Sequence, residues 1–238
     1  MKKLVNIFRK IIFPNTYSQE AYIEYLRKHN ILIGEHVSIY SPNHTHIDVM
    51  RPFVIKIGDY CKITSDVTIL AHNYSISVSR RAFGVFAGGG QPVEIGNNCF
   101  IGTRAIILMG TTIGDNCIIG AGSVVKGIFP DNVVIAGNPA KIVCSLDEYY
   151  NKCLNRWVED AKRYAQAIRK NSGRNPTIEE MSDGYAWLYL ERTKKTVEKY
   201  KSFFNLSSDI QADVIESFMN SKPIYSTFDD FLKDCNLS

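Results

Sequence analysis

The apolar positions of this chain recur at a step of six residues. Branched aliphatics stand at Ile95, Ile101, Ile107, Ile113, Ile119 and Val125, and the same step links Ile57, Ile63 and Ile69, and Ile33 and Ile39. Four residues after these positions a second slot holds small or β-branched side chains: Cys61, Val67, Cys99, Ala105, Thr111, Cys117 and Ser123. Glycine often follows the aliphatic, as in Ile57-Gly58, Ile95-Gly96, Ile101-Gly102, Ile113-Gly114 and Ile119-Gly120. This period fits neither the 3.6-residue helix nor the alternation of a simple strand. It predicts an all-β solenoid in which each hexapeptide forms one short flat side and then turns a corner. One bulky and one small side chain point inward per side, and stacked coils share a continuous core.

The pattern is interrupted twice. Between Thr45 and Lys56 it is irregular, with Thr45 and Arg51 in the aliphatic slots. Ile69 and Ile95 are twenty-six residues apart, two more than four whole repeats, so an extra segment is expected to leave the solenoid at about 73–92. That segment carries Arg80-Arg81 and Gly88-Gly89-Gly90. Long loops on rigid scaffolds are usually functional or disordered.

Outside the repeat the pattern is helical. Residues 1–30 read as an N-terminal helical segment, with Tyr17-Ser18-Gln19-Glu20 opening a stretch that bears Tyr22, Ile23 and Leu26. Residues 31–145 form the solenoid, and 146–238 a C-terminal helical domain. In that domain one helix is predicted from Leu146 to about Lys170. A second is predicted from Thr177, with Glu180 as its capping-box partner, to Phe204. Shorter helices are expected near Ser208–Met219 and Ser226–Asp234, with Trp157 and Trp187 as packing residues.

Composition narrows the class. The 238 residues are 45% hydrophobic and 22% charged, an ordinary globular balance. A net charge of +4 favours approach of an anionic cofactor but is no signature of nucleic-acid binding. Cys61, Cys99 and Cys117 follow the repeat rather than any metal-ligand spacing, so they read as core thiols of a protein in a reducing cytoplasm. No stretch approaches the ~20 apolar residues needed to span a bilayer. The basic start, Met1 to Pro14, is read as a helix packing on the solenoid, with a weak membrane-surface contact as the competing reading.

One histidine stands out by position. His72 lies where the repeat stops and the extra segment leaves, so a rigid scaffold would fix it while leaving it open to a cleft, as a general base requires. From about Ile31 to Val143 the chain resembles the hexapeptide-repeat acyltransferases of the sugar O-acetyltransferase type. The resemblance implies a left-handed parallel β-helix with three hexapeptides per coil, a homotrimer, and acetyl-CoA as acyl donor. Thr68-Ile69-Leu70-Ala71-His72-Asn73-Tyr74-Ser75 is similar to the family's Thr-His-Asp-Tyr-Ser stretch, which implies that His72 takes the acceptor's proton. This sequence departs from that stretch at Ala71 and Asn73.

The same resemblance assigns the other sites. Ile47-Asp48-Val49-Met50-Arg51-Pro52 is similar to a family Ile-Asp-x-x-Arg-Pro stretch, so Asp48 and Arg51, with Asn73 and Phe100, are expected to face the acceptor; a salt bridge holding an irregular coil is the alternative for the first two. Phe100-Ile101-Gly102-Thr103 matches a segment bordering the thioester, which places Thr103 at the donor. Ile119 to Lys126 matches the segment whose small residues, here Ala121 and Gly122, let pantetheine lie on the backbone. Lys126, and Lys141 in Gly137-Asn138-Pro139-Ala140-Lys141, suit CoA phosphates. His44 and His46 invite a metal reading, but no third histidine stands at a comparable inward position, and no metal is expected.

The expected function is therefore acetyl transfer from acetyl-CoA to a sugar hydroxyl of a surface polysaccharide or its precursor. An N-acetyltransferase acting on a nucleotide-linked amino sugar or antibiotic is the alternative. A non-catalytic solenoid or a zinc enzyme is a more distant one.

Overall fold

The computed structural model describes residues 10–182, 184–206 and 208–237. They fall into two compact units, the first ending at Tyr149 and the second beginning at Tyr150.

The first unit is built by stacking like on like. Its strands, mostly two or three residues long, join three parallel sheets that the chain visits in rotation. In the first sheet Ile33 pairs with Ile57, Ile57 with Ile95, Ile95 with Ile113, and Ile113 with Phe129. The second stacks Ile39, Ile63, Ile101, Ile119 and Ile135, and the third Ile47, Ile69, Ile107 and Val125. All of these are buried, as is every small-slot residue from Cys61 to Ser123. Three of those slots hold thiols, and each donates to a carbonyl of the following coil: Cys61 to Gly96, Cys99 to Gly114 and Cys117 to Pro130. The Cys117 thiol is pushed up by its bond to Cys99 and then by burial, which suits an inert core group.

The corner between the first and second sheets explains the Ile-Gly-Asx signature. The Glu35 N–H donates to Asp59 Oδ1 at 2.8 Å, and Asp59 N–H to Asn97 Oδ1 at 2.9 Å. Asn97 N–H donates to Asp115 Oδ1 at 2.6 Å, and Asp115 N–H to Asp131 Oδ1 at 2.8 Å. Each carboxylate or amide oxygen therefore sits over the glycine of the preceding coil. A Cβ at Gly58 would lie 2.6 Å from Asn97 Oδ1, and one at Gly114 would collide with Asp131 Oδ1. The next corner residue adopts the left-handed conformation at His36, Tyr60, Asn98, Asn116 and Asn132. Asparagine tolerates that region, and here it also forms a ladder: Asn98 Nδ2 donates to Asn116 at 2.9 Å and Asn116 Nδ2 to Asn132 at 3.1 Å.

Two sequence expectations need correction. In the first coil the third aliphatic is Ile47, not Thr45, because the turn Pro42–His44 inserts two residues before that side. Arg51 does not occupy the next slot; the turn Pro52–Val54 carries the chain on to Ile55–Ile57. The length of the excursion follows from the pairing. Ile57 pairs with Ile95, thirty-eight residues on, whereas Ile95 pairs with Ile113 after eighteen, so twenty residues leave the coil. They hold a short antiparallel ribbon, His72–Asn73 against Gly89–Gly90, and a helix, Ile76–Phe83.

N-terminal to the coils, helix α1 (Gln19–Lys28) is capped by Ser18, whose Oγ accepts from Ala21 N–H. It opens within Tyr17-Ser18-Gln19-Glu20, and residues 14–18 before it are turn and bend. Residues 1–9, within the segment read as basic and amphipathic, lie outside the described residues. Tyr22 of this helix is buried and bridges the irregular first coil, donating to the Thr45 carbonyl and accepting from Ile47 N–H. The first unit closes in a hairpin, Val133–Gly137 against Ala140–Ser145.

Helix α2 (Leu146–Ser172) leads into the second unit, whose core holds Leu188, Phe204, Phe218 and Phe231. The reciprocal Thr177–Glu180 bonds form as expected. No long helix follows them, however. Gly184 is left-handed, and the chain breaks into short turns and the helix Lys194–Lys199. Helices Gln211–Asn220 and Phe228–Asp234 complete the unit. Trp187 packs edge-on against Phe218 at 5.4 Å, as a core residue does.

Gly114→Ala should lower stability by about 1–3 kcal/mol, because the new methyl overpacks a backbone-bonded corner. Gly89→Ala, where an added Cβ meets nothing within 4 Å, should be near neutral. Urea unfolding of both variants beside wild type checks the contrast.

Candidate active site

The third sheet ends in a corner where two interruptions of the repeat meet. Ile47 stacks on Ile69, so the chain leaves the sheet at Asp48 in one coil and at Leu70-Ala71-His72 in the next. Asp48 is buried, its side chain only 2% exposed, and every contact it makes serves this corner. Oδ1 accepts from Met50 N–H at 2.8 Å, and Oδ2 accepts from Ala71 N–H at 3.0 Å and from His72 Nδ1. Burial alone would raise the Asp48 carboxyl, but the bonds from His72, Met50 and Ala71 outweigh it and hold it below the usual carboxylate value.

An ionised carboxylate at Nδ1 fixes the tautomer of His72. Nδ1 carries the hydrogen, and Nε2 keeps a free lone pair. The ring is 29% exposed, so it is held on one side and open on the other. His72 also pairs with Gly90 in the ribbon, and the Ala71 carbonyl accepts from Gln91 N–H at 3.2 Å, so both arms of the excursion anchor here.

Asp48 was expected to face an acceptor or to hold the irregular coil by a salt bridge. It is buried, with both oxygens engaged, and pairs with His72. The Asn73 Oδ1 accepts from Ser75 N–H at 2.7 Å, turning the chain into helix Ile76–Phe83. Arg51 is exposed, and its side chain lies along the excursion, where Nε would stand 2.8 Å from a Cβ built on Gly90.

Four of the remaining predicted residues lie on two edges of the third sheet. Lys126 follows Val124–Val125, so it shares the edge of His72 two coils further on, and it is exposed. Thr103, Ala121 and Gly122 occupy the opposite edge, where the chain passes from the second sheet to the third. Gly122 N–H donates to the Thr103 carbonyl at 2.8 Å, and Thr103 Oγ1 donates to Thr64 Oγ1 at 3.3 Å. A Cβ at Gly122 would meet nothing within 4 Å, so the corner at Ala121-Gly122 is bare backbone and a small side chain, with the exposed Arg104 one coil before it. Phe100 stands on the outer face of the second sheet, in a groove of about 180 Å³ with Tyr60, Asn98 and Leu146, and not on the edge of His72. Lys141 is exposed on the closing hairpin. His44 Nδ1 lies 3.6 Å from Asp66 Oδ1. Among the described residues no three His, Cys, Asp or Glu side chains converge as metal ligands would, and no helix is long and apolar enough to cross a membrane.

Comparison with known proteins places this architecture. A family profile described as "Hexapeptide repeat of succinyl-transferase" matches residues 92–126. Protein CapG of Staphylococcus aureus is 38% identical over 154 residues, which is 65% of this chain and 84% of that protein. Galactoside O-acetyltransferase of Escherichia coli K12 is 34% identical over 111 residues, 45% of this chain and 54% of that protein, so the match spans about half of that relative. The solved structure of galactoside acetyltransferase in complex with coenzyme A is 30% identical, covers 51% of this chain and 58% of that one, and superposes with a TM-score of 0.39. The periodic core, its corner signature and the extent of the match to CapG agree: the chain belongs to the hexapeptide-repeat acyltransferase family.

Proposed function

We propose that this protein is a homotrimeric, acetyl-CoA-dependent O-acetyltransferase in which His72 takes the proton from a sugar hydroxyl. The acceptor in this reading is a surface polysaccharide or its precursor, met in the cytoplasm, and the coil of residues 31–145 is left-handed and carries the chemistry. The observation that carries the reading is the buried Asp48 carboxylate on His72 Nδ1, at the corner where the excursion leaves the coil. It leaves a neutral Nε2 facing outward, ready to accept a proton from an acceptor placed there. No other histidine has a buried carboxylate partner among the described residues.

Acetyl-CoA supplies an activated acetyl group. The residues present suit it: Ala121 and Gly122 offer a corner without bulky side chains, and Lys126 and Lys141 are exposed ammonium groups suited to phosphates. The division of these residues between two edges of one sheet supports an assembly of several copies. A neighbouring chain would bring its Ala121-Gly122 edge to the His72 and Lys126 edge of the first. Exposed apolar side chains on the excursion, among them Phe83, Val85 and Phe86, support the same arrangement. The name of the Escherichia coli relative supports acetyl transfer to a sugar oxygen.

His72→Ala should lower turnover by roughly 10²–10⁴, the usual contribution of a positioned base, with little change in acetyl-CoA affinity. Steady-state kinetics on a folded variant checks this, and near-wild-type turnover would remove the role.

Asp48→Asn tests the orienting bond on both activity and stability. Turnover should fall by roughly 10²–10⁴, because an amide no longer enforces the tautomer. The carboxyl is held down in the folded state, so its contribution to stability is present above the ordinary value of 3.8 and is lost as pH falls through the lower folded value. Wild type should therefore exceed Asp48→Asn in thermal stability at neutral pH, with the gap closing below about pH 4.

Lys126→Ala and Lys141→Ala should raise the KM for acetyl-CoA more than they lower kcat, and the loss should shrink at high salt. Equal sensitivity with a donor lacking the 3′-phosphate would show that neither lysine meets that group.

A further inference from the structure

The corner around His72 carries a cation that the transfer chemistry leaves unused. Arg51 opens the turn Pro52–Val54 at the end of the stretch that supplies Asp48. Its side chain runs across the ribbon of the excursion. A Cβ added to Gly90 would lie 2.8 Å from Arg51 Nε and 2.8 Å from the Ala71 carbonyl, and it would collide with Arg51 Cδ. Gly90 is the ribbon partner of His72, and Ala71 precedes it in the chain, so the guanidinium stem is held beside the base.

Nothing in the described chain neutralises this charge. Arg51 makes no ion pair or side-chain hydrogen bond among the described residues, and neither do Arg80 and Arg81 on the helix of the same excursion. Asp48, three residues away, has both oxygens engaged by Met50, Ala71 and His72. Between Asp66 and Glu94 the sequence has no acidic residue at all. Asp66 itself faces His44. The glycine run 88–90 puts no side chain between Arg51 and the approach to His72.

A guanidinium offers five N–H donors and no acceptor, in a planar fork that matches a carboxylate or phosphate. A neutral sugar, whose hydroxyls both donate and accept, gains little from such a group alone. We propose that the acceptor carries an anionic group, a carboxylate or a phosphate, and that Arg51 binds it next to His72. The proposal rests on the transferase reading above and names the class of sugar that reading takes.

Calorimetric titration of the full chain tests it without requiring turnover. The probes are a hexose 1-phosphate, a hexuronate and the parent neutral hexose, each with wild type, Arg51→Gln and Arg51→Lys. Wild type should bind at least one anion about tenfold or more tighter than the neutral sugar. Arg51→Gln should erase that preference, and Arg51→Lys should keep part of it, more for phosphate than for the planar carboxylate. The phosphate and uronate arms identify which anion is read. Equal binding of charged and neutral sugars, no binding of any, or a preference that survives Arg51→Gln overturns the proposal. The last result is also what pairing of Arg51 with a neighbouring subunit would give. Acetyl transfer measured on the same sugars separates the two readings. Transfer without charge preference sinks only the anionic acceptor, whereas charge-selective binding with no transfer sinks only the transferase.

Discussion

The structure depends on one constraint: each coil must present the same side chain at the same height as the coil before it. In-register parallel pairing sets neighbouring strands ~4.8 Å apart, so Ile57, Ile95 and Ile113 stand directly over one another. No single coil can bury its inward residues alone. Stability therefore lies in repetition, and the corner must be as repetitive as the core. The Asx oxygen that receives the N–H of the coil before it leaves no room for a Cβ at the preceding residue, which is why Gly58, Gly96 and Gly114 recur with the aliphatics.

Chemistry enters where the repetition is broken. The inserted turns Pro42–His44 and Pro52–Val54 bracket Asp48, and the twenty-residue excursion begins beside His72. The turn Pro52–Val54 and the excursion leave the same edge of the third sheet in adjacent coils, while Pro42–His44 enters that sheet from its other edge. A regular hexapeptide would place an ordinary corner there. The breaks leave a carboxylate buried and a histidine half covered. The cost of burying Asp48 is offset by three bonds to its two oxygens, including one from Ala71 N–H, so the backbone at the root of the excursion is tied to the same group. His72 and the start of the excursion are positioned by one residue.

The sequence made the coil legible because aliphatic and small slots repeat with fixed chemistry. It made His72 legible because the register visibly fails there. The Asp48–His72 contact was not legible, for a specific reason. Counting sixes through the first coil puts Thr45 in the aliphatic slot and leaves Asp48 three positions past it, a corner residue with nothing to mark it as buried. With Ile47 stacked on Ile69, Asp48 falls next to the corner that His72 leaves. Only the turn at Pro42–His44 reveals that shift, and Ser41-Pro42-Asn43 was the one local sign of it. The tail shows the opposite error. The Thr177–Glu180 capping bonds are real, yet a cap does not make a helix when Gly184 and the packing of Tyr185–Leu188 favour tight turns.

The same geometry bears on the proposed assembly. A side of the coil is short, and its two edges carry different groups: His72 and Lys126 on one, Thr103, Ala121 and Gly122 on the other. The first edge offers a histidine and charges, and the second offers bare backbone at its Ala121-Gly122 corner. A rigid solenoid cannot fold one edge onto the other, because every strand is locked by parallel pairing to those above and below it. Bringing the two surfaces together is then a matter of placing copies side by side, and the excursion, with its exposed Phe83, Val85 and Phe86, projects from the edge where such a neighbour would meet it. In the proposed function, the repetition that gives the core its stability leaves the two groups of residues on separate edges, and assembly is the step that would join them.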